Sequence, residues 1–125
     1  MTLLDALLAK LEASLDLSAV HVVEEEIIDA DTYQFKVRAI VKSAAFQIRV
    51  LRDGAFARYS FQLYTTRSLL RWDNTPHFPN LPNFPHHFHD VGNKVSTSSL
   101  TGDLLTDVDT VLAEIVRFVA SGGIL

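Results

Sequence analysis

The spacing of apolar residues predicts an amphipathic helix at the start of the chain. Leucines three or four positions apart form one stripe: Leu4, Leu7, Leu8, Leu11 and Leu15. Thr2 and Asp5 have the spacing of a capping box, in which side-chain oxygens accept hydrogen bonds from free N–H groups of the first turn. We therefore expect a helix that begins near Thr2 and extends its stripe to Leu15.

A second helix is predicted near the end of the chain. Its apolar stripe consists of Leu104, Val108, Val111, Leu112, Ile115 and Val119. Thr106 and Asp109 have capping-box spacing at its start. Gly122 and Gly123 are expected to end it, because glycine readily adopts the left-handed conformation found after helix ends.

Between the helices, apolar and polar residues alternate with the period of two that is typical of half-buried strands. Five strands are predicted, by AVHVVEEEIID, TYQFKVRAIVK, FQIRVLR, RYSFQLY and SLLRWDN. Glu24, Glu25 and Glu26 suit an edge position for the first strand. Asp53 and Gly54 predict a tight hairpin turn. We expect an antiparallel meander of about five strands.

These elements predict one α+β domain, residues 1–125, with both helices packed on one face of the sheet and a Pro/His-rich strap after the last strand. The chain has no cysteine, which excludes disulfides and thiolate metal sites. Its start lacks the positive charge of a signal peptide, and no apolar run reaches membrane-spanning length. We therefore expect a cytoplasmic protein without membrane association.

All four prolines and four of the five histidines lie in one segment, TPHFPNLPNFPHHFHD. Its prolines recur every third residue, which predicts a polyproline II conformation for the strap (residues 76–89). One edge of that helix would carry His77, Asn80, Asn83, His86 and His89. We expect the strap to lie on the domain with the apolar side chains of another edge buried: Phe78, Leu81 and Phe84.

The histidines of the strap raise the question of a metal site. In an unbroken polyproline helix with a rise of about 3 Å per residue, His77 and His86 would lie roughly 28 Å apart. Zinc holds its ligands at about 2 Å. His86, His87 and His89 without cysteine form a weak zinc motif. We therefore expect no metal and no other cofactor. A His-liganded metal protein, a purely structural cover over the core and a PxxP ligand are the alternatives.

Charge is distributed unevenly along the chain. Residues 1–31 contain eight acids and one base, whereas residues 36–74 contain eight bases and two acids. The formal net charge of −4 argues against a dedicated nucleic-acid binder, but the middle segment is suited to a local basic surface. Four basic side chains on the polar face of the predicted meander suit an RNA backbone: Lys36, Arg38, Arg49 and Arg58. A merely solvated sheet face is the alternative.

Histidines and an arginine around the strap predict acid–base chemistry on a phosphodiester. Imidazole exchanges protons near neutral pH, and the arginine fork stabilises negative charge on phosphate. We predict His86 and His89 as the proton-transfer residues, with Arg71 stabilising the phosphate. Asp73 would orient a histidine, and His77 is a second acid–base candidate if the strap bends.

The run LLRWDNTPHFPNLPNFPHHFH resembles the signature of the TumE-type toxin family of bacterial and archaeal toxin–antitoxin pairs. In that family an Arg-(Tyr/Trp)-Asp-Asn segment leads into Pro-His, spaced prolines and Phe-Pro-His-His-x-His. The matching residues are Arg71, Trp72, Asp73, Asn74, Pro76, His77, Pro79, Leu81, Pro82, Phe84, Pro85, His86, His87 and His89. Phe78 replaces a frequent second histidine, and Phe88 stands where lysine is common.

The resemblance implies a small cytoplasmic toxin whose partner is a helix-turn-helix antitoxin encoded nearby. It assigns no catalytic residues, so action on RNA rests on the histidines, the arginines and the basic face. The leading hypothesis is the toxin of a type II toxin–antitoxin pair that acts as a metal-independent ribonuclease. The alternative is a non-catalytic interaction module that docks through the strap or through residues 1–31. A homodimer that pairs through an exposed strand edge or through the SLLRW segment is a further alternative.

Overall fold

The computed structural model describes residues 1–124 and contains two helices and seven strands. In chain order they are α1 (Leu3–Glu12), β1 (Ser18–Asp29), β2 (Thr32–Val41), β3 (Ala44–Asp53), β4 (Phe56–Tyr64), β5 (Ser68–Asp73), β6 (His87–His89), β7 (Val95–Thr97) and α2 (Leu104–Ala120). The α+β class predicted from the sequence is confirmed.

The strands form one antiparallel sheet in which spatial order follows chain order, from β1 to β7. The five strands predicted from alternation are all present, and β1 lies at an edge. The predicted number of strands is nevertheless wrong, because β6 and β7 were missed. Each is only three residues long, which is too short for an alternating pattern to be detected. Gly54 has a φ of 61° in the β3–β4 turn, as the predicted hairpin requires.

One apolar core lies between the sheet and the two helices. The sheet contributes side chains that alternate along its strands, including Phe35, Val37, Phe46, Ile48, Phe61 and Trp72. The helices contribute Leu4, Leu7, Leu11, Val108, Val111 and Ile115. Lys10 Nζ in α1 lies 2.9 Å from Asp109 Oδ2 in α2. Both helices therefore pack side by side on the same face of the sheet, which leaves the opposite face uncovered by helix.

The start of α1 agrees with the sequence, but its end does not. Thr2 is the N-cap, and its side chain and that of Asp5 form both hydrogen bonds of the predicted capping box. The helix ends at Glu12, however, and the chain turns before β1. Leu15 is consequently fully exposed rather than part of the buried stripe.

The N-cap of α2 is Asp103, not the predicted pair of Thr106 and Asp109. The Asp103 carboxylate accepts a hydrogen bond from the backbone N–H of Thr106, because aspartate is an effective cap directly before the first residue of the stripe. The helix ends before Gly122, which has a φ of 87°. Within residues 1–124, neither helix is long and apolar enough to cross a membrane.

The strap is not an unbroken polyproline helix. A backbone hydrogen bond from Leu81 N to Phe78 O closes a turn, Asn83 has a φ of 64°, and the peptide bond before Pro85 is cis. Phe78 and Leu81 are half-buried, but Phe84 is 45% exposed, contrary to the expectation that all three are buried. Because the strap turns, its three-residue edges do not persist along its length.

Candidate functional site

Two neighbouring strands place four polar side chains on the face of the sheet opposite the helices. These side chains, called the β5–β6 cluster below, are Arg71 and Asp73 of β5 and His87 and His89 of β6. In the antiparallel register, Arg71 is paired with His89 and Asp73 with His87. Trp72 and Phe88 alternate with them and pair with each other, with ring centroids 5.1 Å apart on the core side. The alternation therefore sends the cluster to the other side.

Asp73 is the anchor of the cluster and is only 6% exposed. Its carboxylate accepts hydrogen bonds from Arg71 Nη2 at 2.8 Å and from the backbone N–H of Thr75 at 2.6 Å. Burial raises the pKa of the Asp73 carboxyl, but the bonds from Thr75 and the charge of Arg71 outweigh it and hold that pKa below its ordinary value. Asp73 is thus a carboxylate near neutral pH and fixes the guanidinium of Arg71.

His87 is buried in the cluster and has a defined orientation. Its Nδ1 lies 3.1 Å from the backbone carbonyl oxygen of Pro85. Because a carbonyl oxygen only accepts hydrogen bonds, Nδ1 carries the proton and donates it. The ring of Phe78 in the strap packs edge-on against His87, with centroids 4.8 Å apart. In the neutral ring, Nε2 is therefore the nitrogen that is able to accept a proton.

His89 is the more accessible histidine of the cluster. Its ring centroid lies 5.0 Å from that of His87, and its Nδ1 lies 3.2 Å from Asn93 Oδ1. Burial is the main cause that lowers the pKa of His89 below its ordinary value, and the positive charge of Arg71 lowers it further. A large share of His89 is consequently neutral at physiological pH and available as a proton acceptor.

A cavity of about 300 Å³ adjoins the cluster on the same face. It is lined by Arg49, Leu51, Arg58, Tyr59, Ser60, Arg71, Asp73 and Thr75. Three arginines, one each from β3, β4 and β5, therefore line one depression, and Arg71 is shared with the cluster. Guanidinium forks bind phosphate oxygens strongly, so this depression is suited to an anionic group.

The four predicted RNA-binding residues are divided by the structure. Arg49 and Arg58 line the cavity, but Lys36 and Arg38 do not. Lys36 Nζ lies 3.3 Å from a carboxylate oxygen of Glu24, which compensates its charge. Arg38 is half-buried and donates a hydrogen bond to the side chain of its neighbour in β3. The basic surface is therefore centred on the cavity rather than spread evenly along the sheet.

His86 lies on the core side of the sheet, away from His89. Its ring centroid is 6.2 Å from that of Tyr59, whose hydroxyl donates a hydrogen bond to Asp107 in α2. His86 is 9% exposed, and its Nδ1 has no hydrogen-bond partner within residues 1–124. Burial lowers the pKa of His86, and the negative charge of Asp107 opposes this only in part. The structure does not bring the two predicted proton-transfer residues together.

The remaining histidine of the strap is exposed. Within residues 1–124, the one ring contact of His77 is with Phe78, at a centroid distance of 6.4 Å. No group of three or more His, Cys, Asp or Glu side chains in this part of the chain is arranged to hold a metal ion. His87 belongs to the cluster but is not among the site residues predicted from the sequence. The signal for it was present, since His87 and His89 are two residues apart and a strand places such residues on one face.

The fold and the cluster coincide with a family assignment. The model of the family described as Toxin TumE matches residues 6–121, from within α1 to the residue after α2. The chain belongs to the TumE toxin family. No curated protein and no solved structure matched it. The match includes the strap and every member of the β5–β6 cluster, and membership of a toxin family implies an antitoxin as the partner of this TumE chain.

Proposed function

We propose that this TumE chain is the toxin of a type II toxin–antitoxin pair and acts on RNA in the cytoplasm by metal-independent acid–base catalysis. The observation that carries the proposal is the β5–β6 cluster, which shares Arg71 and Asp73 with an arginine-lined cavity. Cleavage of a phosphodiester needs a proton acceptor, a proton donor and positive charge at the phosphate. Imidazole and guanidinium groups supply all three.

The proposed reaction is attack of a ribose 2′-oxygen on the adjacent phosphate. The neutral imidazole of His89 accepts the proton of the 2′-hydroxyl group, and the 2′-oxygen forms a bond to phosphorus. The bond between phosphorus and the 5′-oxygen breaks, and this oxygen takes a proton from the imidazolium of His87. The products are a 2′,3′-cyclic phosphate and a 5′-hydroxyl end. Because Phe78 covers His87, this step requires the Phe78 ring to move aside.

The arginines of the cavity stabilise the phosphate in this scheme. Arg71 is held by Asp73, so its guanidinium is pre-oriented and loses little freedom when a phosphate binds. Arg49 and Arg58 contact the same phosphate or the next phosphate along the RNA chain. Lys36 and Arg38 lie outside the cavity, and the charge of Lys36 is compensated by Glu24, so the phosphate contacts are assigned to the cavity arginines. His86 has no part in the scheme, since it lies across the sheet.

The proposal is tested by inducing the chain in a bacterial host that lacks its antitoxin. The wild type should arrest growth, and RNA from arrested cells should contain new 5′-hydroxyl ends. A His87→Ala/His89→Ala variant that accumulates to the same soluble level should do neither. His21→Ala is the matched control, because His21 is an exposed histidine on β1, at the far edge of the sheet.

The alternatives predict different results in the same assay. A non-catalytic interaction module is favoured if the double variant arrests growth as strongly as the wild type. A metal-bound hydrolase is favoured if the protein purified without a histidine tag contains stoichiometric zinc and loses RNA cleavage in chelator. Cleavage that persists in chelator and disappears with the two histidines supports the proposed mechanism.

A further inference from the structure

The free edge of β1 is the longest exposed strand edge in residues 1–124. β1 spans 12 residues and pairs only with β2. Its register with β2 shifts at three places but is regular from Glu24 to Ile27, so the backbone N–H and C=O groups of this stretch that do not bond β2 face outward. The exposed aliphatic side chains on this strand are Val23, Ile27 and Ile28, of which Ile28 is 68% exposed. An accessible edge of this kind is a template for strand addition by another chain.

The acidic residues of β1 restrict which chain is able to pair with it. Lys36 forms an ion pair with Glu24. The side-chain amide of Gln34 donates a hydrogen bond to Glu26, but a neutral donor does not compensate the negative charge of this carboxylate. Within residues 1–124, the side chain of Glu25 forms neither a hydrogen bond nor an ion pair. A second copy that paired through the same edge would place these glutamates near their own counterparts, and like charges on adjacent strands are destabilising. The edge therefore disfavours another copy and favours a basic segment.

An apolar cavity of about 510 Å³ lies beside the end of β1, on the side of the sheet that faces the helices. Its walls include Leu3, Leu4, Ile27, Tyr33 and Phe35. Side chains of a strand added to β1 would alternate between the two faces of the sheet. One large apolar side chain near the end of the added strand would consequently reach this cavity. Other side chains of the added strand would lie beside Glu24–Glu26.

We propose that the free edge of β1 binds an extended, basic segment of the antitoxin. The segment adds to the sheet as a further strand, with lysine or arginine side chains at Glu24–Glu26 and one apolar side chain in the cavity. The partner follows from the toxin family and does not depend on RNA cleavage. β1 and β5 are four strands apart, roughly 19 Å at about 4.8 Å per strand, so the two proposals concern separate surfaces.

The probe is a capped synthetic peptide that alternates lysine and valine and ends in phenylalanine. Titrated into the full chain, it should slow hydrogen exchange of the β1 backbone amides and shift the NMR signals of Ile27 and Tyr33. The same peptide with glutamate in place of lysine should not bind. N-methylation of alternate peptide nitrogens, which removes strand-pairing donors at unchanged charge, should weaken binding by about tenfold or more.

A pair of charge-matched variants separates strand pairing from general attraction. Glu25→Lys/Glu26→Lys should weaken binding of the lysine peptide by about fivefold or more. Glu12→Lys/Asp16→Lys makes the same charge change outside β1 and should alter the affinity for this peptide by less than about twofold. If the first variant does not fold, Glu25→Gln/Glu26→Gln is compared with Glu12→Gln/Asp16→Asn, which removes the same two negative charges outside β1. Equal effects of the two variants, full binding of the N-methylated peptide, or a wild-type dimer that protects β1 would each overturn the proposal.

Discussion

The imidazole rings of His87 and His89 lie with their centroids 5.0 Å apart on the face of β6 opposite the helices. Each ring is oriented through its Nδ1, toward the Pro85 carbonyl in one case and toward Asn93 in the other. In both rings, Nε2 is therefore the nitrogen that is left to exchange a proton with a substrate. Two imidazoles at this separation are able to serve the two ends of one phosphodiester step, which a single histidine does not do alone.

Loss of His89 should remove most of the activity without unfolding the chain. General acid–base catalysis contributes about 10²–10⁴-fold to rate, so His89→Ala should lower RNA cleavage by at least about 10²-fold. His86→Phe should change cleavage far less, because His86 lies on the core side. The measurement is single-turnover cleavage of a radiolabelled RNA, with circular dichroism to confirm folding. Equal losses in the two variants would contradict the assignment of the site to the face of the sheet opposite the helices.

The cavity arginines should act on RNA binding rather than on proton transfer. Arg49→Ala/Arg58→Ala should weaken RNA binding and reduce the slope of log Kd against log salt by about 0.7 for each lost contact to single-stranded RNA. Arg67→Ala/Arg52→Ala removes the same charge outside the cavity lining and serves as the control. Fluorescence anisotropy over a salt series measures both quantities. An identical slope change in the control would show that total charge, not the cavity, determines binding.

Three of the five strands that the sequence predicted have long alternating segments. β2, β3 and β4 each contain nine or ten residues, so a period of two is visible without knowledge of the fold. β6 contains only His87–His89 and β7 only Val95–Thr97. β6 is a strand because it pairs with β5, and β7 is a strand because it pairs with β6. Such pairing is a tertiary contact that no local pattern records.

The site was predicted only in part, and the reason is similar. The proline spacing extends a period of three to His89 and places His86 on the same edge, whereas His87–His89 form a strand with a period of two. The turns of the strap are held from a distance: Asn83 donates to the backbone carbonyl oxygens of Ser98 and Leu100, at 2.6 and 2.8 Å. Contacts between residues so far apart in sequence are not encoded in the spacing of the prolines.

Removal of the Asp107 carboxylate should destabilise the fold more than any change in the cluster. Asp107 is fully buried and accepts hydrogen bonds from the Tyr59 hydroxyl, from Thr101 N and Oγ1 and from Gly102 N. Asp107→Ala leaves these buried donors unpaired and should lower the free energy of unfolding by about 3–5 kcal/mol.

Tyr59→Phe removes one of these bonds and should cost about 1–2 kcal/mol, since the other three donors keep their acceptor. Burial, together with the hydrogen bond to Asp107, raises the pKa of the Tyr59 hydroxyl, so this bond persists across the neutral range. Urea unfolding at neutral pH measures both variants. If Tyr59→Phe lowered the free energy of unfolding as much as Asp107→Ala does, the stabilisation would come from the Tyr59 hydroxyl rather than from the backbone donors.

Acidification should weaken the fold through His86. The pKa of His86 is lowered in the folded chain because the ring is buried, so the unfolded chain binds this proton more readily. The stabilising contribution is fully present above the ordinary histidine pKa of about 6.5 and is lost as pH falls below it toward the folded value. His89, whose pKa is also lowered, contributes with the same sign.

The check is the free energy of unfolding in urea from about pH 7.5 to about pH 5, a window that stays above the titration of the carboxyls. The wild type should lose stability steadily below about pH 6.5. His86→Phe, which keeps an aromatic ring next to Tyr59 and removes the unpaired Nδ1, should flatten this dependence. His21→Phe, at an exposed position on β1, should leave the slope unchanged. An unchanged slope in His86→Phe would place the acid sensitivity on another group.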